Sequence, residues 1–207
     1  MRLLLASRSP ARRATLEAAG MAPTIEVSQI DEDALFAECQ ARQLPYPAIV
    51  GELARAKAED VAARHLRETG LVVLGCDSMF ELDGVLIGKP GTALAAQERL
   101  RIVRGRTGFL HTGHYLIRTD DGAAAGATAS TAVTFADLTD AEIDAYVATG
   151  EPIGVAGGFT VDGFGGPFIE GINGDHHNVV GVSLPLLRKL LDQLDLTVMA
   201  LWESACT

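Results

Sequence analysis

Cysteine is scarce: the 207 residues hold three, at Cys39, Cys76 and Cys206, far apart and without a CxxC pair. That spacing argues against a disulfide framework or a structural zinc site, so reduced thiols are expected. Basic charge is in deficit too. The 17 Lys and Arg against 27 Asp and Glu leave a net charge of −10, whereas a polyanion-coating protein carries a basic excess. A nucleic-acid partner is not expected. Long apolar runs are also missing, because Leu3 to Ala6 is too short for a signal-peptide core and nothing approaches the roughly 20 residues that span a bilayer. The expected location is the cytoplasm, with no membrane partner. No GxxxxGK[ST] loop and no GxGxxG after a strand is present, which disfavours Walker-type and Rossmann binding.

What is present is a 48% hydrophobic chain, enough for a core that buries roughly 70% of the unfolded surface. Short apolar runs alternate with helical patterns, the signature of an α/β fold. Leu3 to Ala6 reads as a buried strand. Ser9 then suits an N-cap, Pro10 the first helical position and Gly20 the stop, giving a helix over about 10 to 19. An acidic, irregular segment follows at Ile30-Asp31-Glu32-Asp33. A second helix is expected from Ala48 to Arg67, with Ile49, Leu53 and Val61 on one stripe. Leu71 to Leu74 reads as a strand buried on both faces that ends in Gly75-Cys76-Asp77-Ser78. Asp83-Gly84 signals a hairpin turn and leads to Gly88-Lys89-Pro90. Thr92 caps a helix to Val103, strands are expected at Leu110 to Ile117 and Ser130 to Phe135, and Asp120 to Gly126 between them reads as a loop. Thr139 and Glu142 form a capping box. From Gly150 to Gly181 there are ten glycines, but interleaved Val155, Phe159, Val161, Phe164, Phe168 and Ile169 favour an ordered, turn-rich surface. A final helix covers Leu184 to Leu194.

Several residues stand out chemically. Arg12 and Arg13 lie in the first turn of a helix, where the macrodipole already presents positive charge and a basic residue costs about 0.3–1 kcal/mol. An anion there would reverse the sign, since free N–H groups and guanidinium forks both bind phosphate, and Ser7 and Ser9 add hydroxyls in the same turn. Two solvated arginines are the ordinary alternative. Lys57 falls in the apolar stripe, four residues from both Leu53 and Val61, so it either snorkels to solvent or is held over a phosphate site. Asp77 follows a buried strand, where ligands of open sheets collect, and can ligate a metal or take a proton from water. Lys89 is a weak signal alone. Glu32 belongs to a candidate metal-ligand cluster, with an acidic surface loop as the plainer reading. Asp175-His176-His177-Asn178 invites a metal reading, yet adjacent histidines in a turn seldom face one ion, and loop histidines are expected.

One family joins these features. Leu5-Ala6-Ser7-Arg8-Ser9-Pro10-Ala11-Arg12-Arg13, Asp31-Glu32, Leu53-Ala54-Arg55-Ala56-Lys57-Ala58 and Gly75-Cys76-Asp77-Ser78 resemble the Maf family. Asp83-Gly84, Gly88-Lys89-Pro90, His111-Thr112-Gly113, the run Tyr146 to Pro152, Ala156-Gly157 and Asn178-Val179-Val180-Gly181 continue the resemblance in order. It implies an elongated, two-lobed α/β fold like that of the inosine triphosphatases, with a shared mixed sheet and a cleft between lobes, residues 1–207 forming a single domain without a linker. It further implies a homodimer that hydrolyses nucleoside triphosphates to monophosphate and pyrophosphate with a divalent cation (Mg²⁺, Mn²⁺ or Co²⁺), as house-cleaning or regulation.

Carried over by motif, Asp77 is the proton acceptor or metal ligand, with Glu32 near the metal. Arg12, Lys57 and Lys89 match triphosphate-binding positions, and Ser7 shares the turn of Arg12. Ala11, Ser78 and Asp162 depart from the residues that separate pyrimidine-selective from methylguanosine-selective branches, so no base is implied. Phe159, Asp162 and Ser78 are the candidate nucleoside contacts, Phe159 by stacking and Asp162 as an acceptor, with a strand core residue at Phe159 and a simple turn at Asp162-Gly163 as the plainer alternative. A division-associated regulator that binds without turnover is the competing reading, but a mere anion binder would not need the Asp77 carboxylate.

Overall fold

Residues 1–202 are described by a computed structural model of the chain, and Cys206 lies outside them. Strand and helix alternate as the sequence suggests: β1 (Arg2–Leu5), α1 (Pro10–Ala18), β2 (Thr24–Ile25), α2 (Glu32–Ala41), α3 (Tyr46–Ala62), β3 (Leu71–Leu82), β4 (Val85–Ile87), α4 (Ala93–Val103) and β5 (Thr107–Arg118). Then come β6 (Ala124–Phe135), α5 (Asp140–Ala148), β7 (Ile169–Asn173), α6 (His176–Val180), α7 (Leu184–Asp192) and α8 (Met199–Trp202). The sheet order is β2-β1-β3-β5-β6-β7, with β4 on β3. β1 pairs parallel with β2 and β3, while β3–β4 and β6–β7 are antiparallel, so the sheet is mixed. Among the described residues no helix is long and apolar enough to cross a membrane.

The chain divides into two compact units, one comprising residues 1–77, 112–129 and the chain from 181, the other residues 78–111 and 130–180. In the first, alternate residues of β1 and β3 face different cores. Leu3, Leu5, Val72, Leu74 and Cys76 pack with Leu16 of α1 and Leu187, Leu190 and Leu191 of α7, whereas Leu4, Ala6, Leu71 and Val73 pack with Ala58, Val61 and Ala62 of α3. Both faces being covered accounts for the unbroken apolar runs. The second unit has its own core, centred on Phe80, Leu100, Phe135, Ile143 and Phe159.

Four expectations are revised. The acidic segment is not irregular: Asp31 caps α2, its carboxylate accepting from Ala34 N–H at 2.9 Å, and Glu32 and Asp33 sit in the first turn where the dipole favours acids. The strand at Leu71 does not end near Gly75 but runs on to Leu82, because β4 pairs with its last residues through the Asp83-Gly84 turn. The stretch from Ala124 belongs to β6 rather than to a loop, and α7 stops at Asp192. The glycine-rich segment is ordered, as expected, and contains β7 and α6.

Candidate active site

The first unit gathers Ser7, Arg12, Glu32, Lys57 and Asp77. Position comes from backbone contact: a Cβ on Gly75 of β3 would meet Ala54 O of α3 at 2.1 Å, and one on Gly113 of β5 would meet Val50 O at 2.1 Å. Only glycine lets α3 lie this close to both strands. Lys57 follows the inner stripe of α3 with Leu53 and Val61 and is 7% exposed. It does not snorkel. Its ammonium donates to Asp77 Oδ1 at 2.7 Å and pairs with Glu32 Oε2 at 2.8 Å. Asp77 is not at the end of its own strand, as the sequence suggested. It lies three residues past Leu74, which pairs with the last residue of β1, so it stands beyond the carboxyl end of the parallel pair. Glu32 is half exposed on the first turn of α2, held there by the Asp31 cap.

Arg12 turns inward rather than to solvent. Its Nε donates to Gly181 O at 2.8 Å, and its Nη1 donates to Cys76 O at 3.0 Å and to Ser7 Oγ at 2.9 Å. The guanidinium thereby ties α1 to β3 and to the segment before α7. Ser7 Oγ also accepts from Ser9 N–H at 3.3 Å, and neither contact uses its own hydroxyl proton. Ser9 is the N-cap, as expected, its oxygen taking Arg12 N–H at 3.4 Å. Arg13 is not brought to this group: it is exposed and its Nε donates to Glu17 one turn on, at 2.7 Å. The buried Cys76 thiol is pushed up to about 11 by desolvation, against the lowering effect of the Arg12 and Lys57 charges, and is therefore an inert neutral group.

The other expected residues belong to the second unit. Ser78 is half-buried on β3, and Lys89 is exposed in the Gly88–Pro90 segment, where Arg99 of α4 donates to Gly88 O. Phe159 is a correction. At 5% exposure it stands edge-to-face against Phe80 and Phe135, centroids 5.2 and 4.8 Å away, so its ring is a core element and offers no open face to a base. Asp162 is exposed. Its segment is held by a residue the sequence did not single out, Glu151, which accepts from Tyr146 OH at 3.1 Å, Phe164 N–H at 3.0 Å, Gly165 N–H at 3.1 Å and the Thr160 hydroxyl. Burial alone would raise this carboxyl, but the donors outweigh it and hold it below the usual glutamate value. The available signal was one carboxylate ahead of a run of glycines, and nothing in spacing marks such a hub.

A buried lysine bridging two carboxylates, beside a buried arginine, is an arrangement that handles anions and protons. The Maf-like protein family model matches residues 2–194. The chain belongs to the Maf family. Maf relatives similar to it include proteins named nucleoside triphosphate pyrophosphatase. That of Leifsonia xyli subsp. xyli is 52% identical over 211 residues, covering 99% of this chain and 98% of the relative. That of Streptomyces coelicolor is 51% identical (99% of this chain, 96% of the relative), and that of Salinispora tropica 50% (98% and 88%).

Proposed function

We propose that this Maf protein hydrolyses nucleoside triphosphates to the monophosphate and pyrophosphate, with Asp77, Lys57 and Glu32 at the reacting end. The observation that carries the reading is the Lys57 ammonium held at 2.7 and 2.8 Å between the carboxylates of β3 and α2. The relatives' names agree with it over nearly the whole chain. Hydrolysis of a phosphoanhydride needs charge neutralisation and alignment of a water more than covalent help. An ammonium has three N–H donors, and two are engaged here. The third supplies a hydrogen bond to a phosphate oxygen, in surroundings dry enough to strengthen it. Asp77 accepts the proton of the attacking water as its oxygen bonds to phosphorus, and pyrophosphate departs with the electron pair of the broken P–O bond. Ser7, fixed by Arg12, donates its hydroxyl proton to the phosphate chain.

The donor set also suits a hard divalent cation, because Asp77 and Glu32 each have a second carboxylate oxygen besides the one that meets the Lys57 ammonium, and Glu32 opens to solvent that can complete the coordination with water. When bound, such an ion would neutralise phosphate charge and polarise the P–O bonds, held by Asp77 and Glu32.

The test is a panel of normal and modified nucleoside triphosphates with Mg²⁺, Mn²⁺ or Co²⁺, scored for pyrophosphate against orthophosphate. Pyrophosphate with an equimolar monophosphate is expected from at least one. Binding without turnover across the panel, or orthophosphate as the sole product, would overturn the reading.

A further inference from the structure

The second unit holds another convergent group of side chains, directly after β7. Asp175, His176 and His177 each offer one metal-ligating atom, and the three atoms lie within 4.8 Å of one another. The sequence argued for diverging loop histidines. Instead the chain turns into α6 at His176, and the two imidazoles lie against each other with ring centroids 3.8 Å apart and a 37° tilt. Asp175 is fixed from two sides. Its carbonyl accepts from Thr131 Oγ1 of β6 at 2.9 Å, and its Oδ1 accepts from His177 N–H at 3.1 Å while standing 3.2 Å from His177 Nδ1. Its other oxygen, Oδ2, is buried and has no hydrogen-bond partner among the described residues. A buried carboxylate oxygen without a donor is unfavourable, and a cation taken by both oxygens of the carboxylate is one of the few things that satisfies it.

We propose that Asp175, His176 and His177 form a site for a divalent transition-metal ion of the Zn²⁺, Co²⁺ or Ni²⁺ class, built from none of the residues assigned to triphosphate chemistry. Two imidazoles with one carboxylate suit such borderline ions, whereas Mg²⁺ and Ca²⁺ take oxygen donors. Ligands held about 2.0–2.2 Å from one ion lie roughly 3–3.5 Å from each other, and the separation of 3.2 Å between Asp175 Oδ1 and His177 Nδ1 already falls in that interval. Without the ion the His177 Nδ1–H donates to the carboxylate. With it, the ring carries that proton on Nε2 and turns the Nδ1 lone pair to the cation, so no net proton is released. Three protein ligands leave a coordination position for water.

Equilibrium dialysis of the full chain against Zn²⁺, together with the visible absorption of bound Co²⁺, tests this. The intact protein should take up Zn²⁺ and show a Co²⁺ spectrum of imidazole ligation. Asp77→Asn should keep both properties, which separates this site from the carboxylates around Lys57. His176→Ala, at an exposed position, should weaken Zn²⁺ binding by about tenfold or more and alter the Co²⁺ spectrum, and the His176→Ala/His177→Ala pair should abolish the imidazole spectrum. Asp175→Asn should weaken binding while the spectrum keeps its imidazole character. An unchanged Zn²⁺ affinity and Co²⁺ spectrum in the His176→Ala protein and in the pair would overturn the proposal, as would a spectrum lost on Asp77→Asn.

Discussion

Arg12 and Lys57 are both buried cations, and the fold compensates them differently. Lys57 meets two carboxylates, and the partners of Arg12 include two carbonyls and a hydroxyl. As residue types in unexpected places, a cation in a helix's first turn and a cation in an apolar stripe, both were legible in the sequence. Their partners were not: Gly181 and Cys76 lie 169 and 64 residues away from Arg12, and a carbonyl acceptor leaves no trace in residue identity. The dipole argument alone would have Arg12→Ala relieve strain. Its hydrogen bonds argue the opposite, because truncation removes a charged donor from two buried carbonyls, and a loss of about 2–3 kcal/mol in denaturant unfolding is expected. A variant as stable as the parent would show that water replaces the guanidinium at no cost. The burial of Phe159 is illegible for a related reason: an aromatic among glycines suits stacking and core alike, and only the distant Phe80 and Phe135, which enclose it, decide for the core.

Among the elements, those bounded by local signals were legible. Ser9 caps α1, Thr92 caps α4, and Thr139 with Glu142 forms the capping box of α5. The Asp83-Gly84 turn shows the positive φ of 51° and 78° that its residue types suit. α2 is harder to see, because Asp31-Glu32-Asp33 suits a helix start and a ligand cluster equally well. β7 and α6 were hidden by composition, since glycine density conceals periodicity. The segment around Asp162 depends on Glu151, and this makes its stability pH-dependent in a defined direction. The folded carboxyl lies below its ordinary value of 4.5, so its contribution is complete above the unfolded value and is lost as pH falls through the folded one. Glu151→Gln should therefore melt lower than the parent at about pH 7, and the difference should shrink toward about pH 3. A difference independent of pH would locate the effect in shape rather than charge.

At the scale of the whole molecule, composition excluded classes and the ordered series of motifs carried the identity. With a net charge of −10 and with Asp77 and Glu32 offsetting the charges of Lys57 and Arg12, a triphosphate at the proposed site is held against the average field by directed hydrogen bonds from these cations rather than by a local excess of positive charge. That arrangement depends on α3 lying on β3 and β5 through Gly75 and Gly113, so the site is a product of packing as much as of the residues that bear charge. The most direct measurement is the rate of pyrophosphate release from an accepted nucleoside triphosphate at saturating Mg²⁺, compared between the parent and Asp77→Asn, with thermal melting run beside it. The asparagine keeps the shape of the side chain and removes the charge that pairs with Lys57 and that the proposed mechanism uses to take the proton. A fall of about 10²-fold or more with a near-parent melting temperature is expected. A rate close to the parent's from a folded Asp77→Asn protein would contradict the placement of the chemistry at Asp77.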